Sequence, residues 1–343
     1  MNILKWLKVK NPIVDKIKNP IQDKFNPFIF KYFYLQWYSN KKYNIIWTNI
    51  KPKKYNYEIT VNLKNYDKII FIGDIHYNQD NYSLINSKKN YYCKNNQFLK
   101  SHLQKCIRRG KNFKAICTAY QLLENNPNDF LRRFIIIILE DVHIIKDIDI
   151  IVWFMVMSSY IKLPESFKKW ILFVVNFISL FEKKNFYSTT DIPDISKINN
   201  VPIIFRSTLY SLIIRIEFGG MKGDMKMINN LLENWIKKLN NGEKLLILKP
   251  YNVIIKKTLE PDLYEISAFD FHCYKNIINL IHEIYPNYEK NLIKRTIWVK
   301  SSSINFRENN VNLDKNIEIC WNSIQVNLYK IQKKYIRKYI WSN

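Results

Sequence analysis

Between residues 126 and 142 the chain reads NPNDFLRRFIIIILEDV: six consecutive apolar residues, closed by an arginine pair on one side and an acidic pair on the other. A bilayer requires about 18 to 20 apolar residues. This run is far shorter, and so are IIVWFMVM (150–157) and WILFVVNFISL (170–180). The segment must therefore bury itself in protein. Leu131, Phe134, Ile135, Ile138 and Leu139 share one helical face while Ile136 and Ile137 fill the other, which predicts a helix at the centre of a helical domain. Glu140 and Asp141 then stand at its C-terminal end, where the helix dipole disfavours anions. Each needs a cation, from Arg133 two turns back or from an arginine of a packed neighbour. Arg132, Arg133, Glu140 and Asp141 are expected to form structural ion pairs that set packing register more than they add stability.

Three regions separate along the chain. Residues 1–90 carry β-like runs, YNYEITVNL (55–63) and KIIFIG (68–73), and read as a small α+β part. From 91 to 240 the helical period dominates: Phe98, Leu99, Leu103, Cys106 and Ile107 share a face, as do Phe113, Ile116, Ala119, Tyr120 and Leu123. Asn128 or Asp129 is expected to cap the fenced helix. Residues 241–343 begin with a predicted strand, KLLILK (244–249), and end in a helix striped by Trp321, Ile324, Leu328, Ile331, Tyr335 and Tyr339. The expected class is mainly α, α+β overall, with a collar-like central domain and a helical C-terminal region carrying a short β element.

The formal charge is +25 over 343 residues. The abundance of Lys, Asn, Ile and Tyr is what adenine- and thymine-rich codons encode, and fits the genome of a large DNA virus among others. Codon bias alone would scatter basic residues among acidic ones. Residues 81–123 instead hold nine Lys or Arg and no Asp or Glu, and the tail from Ile319 to Asn343 is acid-free with five basic residues. Such stretches are the footprint of a polyanion partner. Lys100, Lys105, Arg108, Arg109, Lys111 and Lys114 are the expected nucleic-acid contacts, with Tyr82, Tyr91, Tyr92, Phe98, Phe113 and Tyr120 as stacking platforms. The alternative is a solvated face over buried aromatics.

The string from Phe98 to Ser166 resembles the C-terminal helical domain of the replication-associated recombination protein A family, clamp-loader-like AAA+ proteins that include the Werner helicase-interacting protein. The elements are Phe98, Lys100 and Ser101; Arg109 and Gly110; Ala115 and Ala119; Pro127; Arg132 and Arg133; Glu140 and Asp141; Leu163, Pro164 and Glu165. The likeness covers about a fifth of the chain, and only the succession of elements is informative. It implies an oligomerising collar that sits beside DNA. No GxxxxGK[ST] occurs, so the family's ATPase engine has no counterpart.

Other motifs weigh less. GGMKGDMKM (219–227) could hold a phosphate on backbone amides with Lys222, but better suits a tight turn with Asp224 as N-cap. Asp74 and His76 in IIFIGDIHYN resemble the first metal element of calcineurin-like phosphoesterases, whose remaining ligands are missing. Asp270, His272 and Cys273, with His282 further on, read as structural. Lone cysteines (93, 106, 117, 273, 320) and the lack of a signal-peptide pattern predict an intracellular protein. The expectation is a non-enzymatic, homo-oligomeric, nucleic-acid-associated protein, DNA favoured, with no cofactor, no metal and no membrane; a structural or assembly protein is the alternative and a divergent phosphoesterase the third.

Overall fold

The computed structural model describes residues 30–39, 42–66, 68–77, 93, 95–181, 195–248, 264–265, 274–302 and 314–341. The chain is mainly helical with one small mixed sheet. Strands β1 (Tyr32–Ser39), β2 (Lys42–Thr48), β3 (Tyr57–Val61) and β4 (Ile69–Ile75) lie in the order β2-β1-β4-β3. The outer pairs are antiparallel and the central pair, β1 with β4, is parallel. Helices follow: α1 (Asn96–Arg108), α2 (Asn112–Asn125), α3 (Pro127–Asp141), α4 (Ile148–Met157), α5 (Glu165–Leu180), α6 (Ile203–Glu217), α7 (Lys222–Asn240), α8 (Tyr274–Ile284), α9 (Lys290–Ile297) and α10 (Lys315–Trp341).

The fenced segment is α3, and from Phe130 to Asp141 only Arg132, Arg133 and Glu140 escape full burial. It packs against α1, α2, α4 and α7. Its N-cap is Asn126, whose side chain accepts from the Asp129 amide, rather than Asn128 or Asp129. Pro127 explains the difference: it occupies the first helical position, where its missing N–H is no loss, and so places the cap at Asn126, two residues before Asn128. Every residue of α4 is buried, because it lies between the sheet and the helical layer.

The sheet joins that layer through aromatic residues. Phe33, Leu35 and Trp37 alternate onto the face toward α4 and α5, and Trp37 packs edge-on to Phe154, Phe167 and Trp170 while its Nε1 donates to Ser166 Oγ at 2.9 Å. Trp153 Nε1 donates to the Phe33 carbonyl. Only glycine fits at position 73 on β4, since a Cβ there would meet Trp153 Cη2 at 2.8 Å.

Among the described residues the expected strand at 244–249 reduces to one parallel bridge, Ile145 with Leu246, where it meets the loop between α3 and α4; Lys249 lies outside the described residues. Phe113 departs from its predicted face and is 46% exposed. The final helix buries Ile324, Leu328 and Ile336, with Trp321, Ile331 and Tyr335 half-buried; the side chain of Tyr339 lies outside the described set. Among the described residues no helix is long and apolar enough to cross a membrane.

Close packing at Gly73 yields a stability prediction. Gly73→Ala should lower the unfolding free energy by about 1 to 3 kcal/mol through overpacking against Trp153, read as a reduced urea midpoint. Gly242→Ala, whose added Cβ meets nothing within 4 Å but whose φ is +86°, serves as a strain-only comparison.

Candidate nucleic-acid interface

The cations predicted to face nucleic acid mostly face carboxylates. On α1, Lys100 Nζ lies 2.8 Å from Asp129, and Arg108 Nε donates to Asp141 Oδ1 at 2.6 Å with its NH2 reaching Glu140 at 3.3 Å. Arg109 and Lys114 both pair with Glu265, at 3.2 and 3.4 Å. Lys105 is buried. Lys111 and Lys222 remain exposed. The acid-free run along the chain therefore acquires its acids in space, from α3 and from residue 265. Of the expected stacking platforms, Phe98 and Tyr120 are buried, Phe113 is exposed, and Tyr82, Tyr91 and Tyr92 lie outside the described residues.

The fence is closed by a neighbour rather than by its own arginines. Gln104 on α1 accepts from Arg133 and donates to Glu140 and Asp141, at 2.8 and 2.9 Å. Arg133 continues to Asp224 on α7 at 3.1 Å. Arg132 donates to the carbonyls of Phe218 and Gly219, and Arg215 donates to those of Arg132 and Gly219. Burial, with Arg132 beside it, draws Arg215 down to about 10. The glycine turn thus presents carbonyls to arginines; Gly219 supplies a φ of 67°, and Asp224 is an ion-pair partner, not an N-cap.

Asp74 is almost fully buried, accepts from Tyr38 OH at 3.2 Å and lies 3.1 Å from His76 Nε2 and 3.9 Å from Lys54 Nζ. Among the described residues no group of three or more His, Cys, Asp or Glu is placed to hold a metal. Asp270, His272 and Cys273 lie outside the described set, and α9 is followed by a π-helical turn (Trp298–Ser302). His282 donates from Nδ1–H to the Tyr288 carbonyl, 2.9 Å away.

A different basic surface is assembled on α10. Lys330, Lys333, Lys334, Arg337 and Lys338 are all exposed and recur at steps of three, one, three and one, which puts them on one face of a helix. The opposite face holds them in place by burying Ile317, Cys320, Ile324, Leu328, Gln332 and Ile336. Packing against α8 and α9 is supplemented by a Tyr288–Ser323 hydroxyl contact at 2.9 Å and by Asn327 donating to Tyr285 OH. Lys330, Lys333, Lys334 and Arg337 surround an open hollow of about 300 Å3. The acid-free tail was a visible signal in the sequence, but only its spacing shows that the charges converge.

No family model, curated protein or solved structure matches this chain. The likeness to the collar domain rests on the succession of residues from Phe98 to Glu165 alone.

Two buried groups titrate against each other. His102 accepts the Glu265 amide at Nε2 (2.6 Å), which leaves Nδ1–H for Thr118 Oγ1 at 2.7 Å; burial and nearby Lys114 hold it down to about 3. Asp149 accepts from Ser207 Oγ at 2.6 Å and from the Ile150 amide, and burial raises it to about 7. Between about pH 4 and 6.5 the unfolded chain protonates His102 while the fold does not, so that term gains stability as pH rises; the fold keeps the Asp149 proton while the unfolded chain loses it, so that term loses stability. The two slopes cancel. Relative to wild type, His102→Gln should add a downward slope of ~1.4 kcal/mol per pH unit and Asp149→Asn an upward one, measured by urea unfolding at pH 4.5, 5.5 and 6.5.

The fence makes its own prediction. Asp141 has a fully buried side chain, so Arg108→Ala should cost about 3 to 5 kcal/mol by stranding it, whereas Glu140→Ala, 37% exposed, should cost about 1 kcal/mol or less. Chemical denaturation of both variants checks the order.

Proposed function

We propose that this chain is a non-enzymatic nucleic-acid-associated protein that holds a phosphate backbone on the basic stripe of α10. The observation that carries the reading is the convergence of five exposed cations on one helix face with no acid from Ile319 onward. Like charges three or four residues apart on a helix cost about 0.2 to 0.5 kcal/mol each, and the helix dipole compensates cations only in the last turn. A stripe that repels itself over two turns is explained by an anion laid along it. Lys111 and Lys222 are outlying cations of the same reading. The collar likeness supports a homo-oligomer that presents several such stripes beside DNA, as an accessory of replication or repair.

A second reading, an assembly protein without nucleic acid, is favoured by exposed Ile46, Ile203 and Ile204 around a hollow of about 380 Å3 between β2 and α6. Salt dependence separates the two. Log affinity for a labelled oligonucleotide should fall by about 0.7 to 0.9 per phosphate neutralised for each unit of log salt. Neutralising Lys330, Lys334 and Lys338 to Gln should flatten that slope by about two to three units, uniformly across sequences. Absence of binding, or binding indifferent to salt, would move the conclusion to the assembly reading.

A further inference from the structure

Resting on the α10 stripe as a phosphate site, we infer that its occupant is a single-stranded polynucleotide whose bases stack on Tyr329 and Trp298. Tyr329 is 41% exposed and borders the stripe, one turn from Lys333. Its ring stands edge-on to half-buried Trp321, at 5.9 Å and 81°, so it is braced from below. Trp298, at the end of α9, is 57% exposed. Its position on α10 follows from the ties around it. Lys300 pairs with Glu318, and Arg295 with Asp314 at 3.8 Å. Glu318 and Tyr329 are eleven residues apart, which is about 1100° of helix and so within about 20° around the axis. The turn that carries Trp298 is thereby fastened to the same flank of α10 as Tyr329, about 16 Å along the helix axis from it.

A row of cations bordered by one exposed ring, with a second ring further along the same flank, is an arrangement that binds single strands, because every base offers a face to stack and the backbone needs only charge. Of the side chains that read a duplex groove, the stripe offers only the arginine and lysines that contact guanine. The Asn or Gln that reads adenine is missing from the stripe, since the one amide among residues 330–338, Gln332, is fully buried. Paired bases would leave both rings with no face to cover. The site is therefore indifferent to sequence and selective for unpaired strand.

The test uses the full-length protein, a labelled 15-nucleotide oligodeoxythymidine, and a 15-base-pair mixed-sequence duplex at one salt concentration. The single strand should bind more tightly. Tyr329→Ala and Trp298→Ala should each weaken it about tenfold while leaving the salt slope unchanged, and Tyr329→Phe should bind as wild type. Should Tyr329→Ala lower the melting temperature, Tyr329→Leu keeps bulk against Trp321 without a ring and must show the same weakening. Equal or tighter binding of the duplex, or ring-less variants that bind the single strand as wild type does, overturns the inference and leaves the phosphate stripe standing. Failure of both probes to bind overturns the stripe itself.

Discussion

Asp141 is the buried charge around which the helical part of this chain is arranged. An ionised carboxylate removed from water costs several kcal/mol unless it is paired and hydrogen-bonded. Its side chain is fully enclosed, and Arg108 and Gln104 from α1 donate hydrogen bonds to it. The same Gln104 binds Arg133, and Arg133 binds Asp224. One chain of contacts thus crosses α1, α3 and α7. A slip of α3 by one residue would leave an acid on one side and an arginine on another without partners, so the apolar run can slide nowhere. The isoleucines supply burial and the fence supplies register.

That arrangement accounts for what sequence patterning could and could not reveal. The helical period of 130–139 is clear because burial on every side still leaves charged ends to mark the limits. The first strand is less legible. In β1 the residues Tyr32 and Tyr34 face one side and Phe33, Leu35 and Trp37 the other, and all are buried. With both faces covered there is no apolar–polar alternation to read. Ion partners were harder still, since Asp129, Asp141 and Glu265 come from outside the basic run they neutralise. Local charge counts describe a surface only after the fold has decided which charges remain on it.

The same distinction separates two basic segments of similar composition. On α1 and α2 the cations alternate with apolar positions on helices that pack on several neighbours, so carboxylates reach them from α3 and from residue 265. Helix α10 packs through a single stripe on α8 and α9. Past Glu318, itself engaged by Lys300, the helix carries no acid of its own. A charge that has an internal partner specifies the fold, while a charge repeated on an outward face costs stability there.

A net charge of +25 makes that cost general. Self-repulsion of a compact state falls when a polyanion is bound, and the stabilisation is largest where cations are closest together. On α10 neighbouring cations sit one helical turn apart, held by a face of Ile324, Leu328, Gln332 and Ile336 that cannot rotate them away from each other. Rotation of the helix by one residue, about 100°, would expose Leu328 and bury a lysine, exchanging a favourable term for an unfavourable one on both sides. Apolar anchoring therefore fixes the electrostatic strain in position, and a ligand that relieves it must carry its own charges in a row.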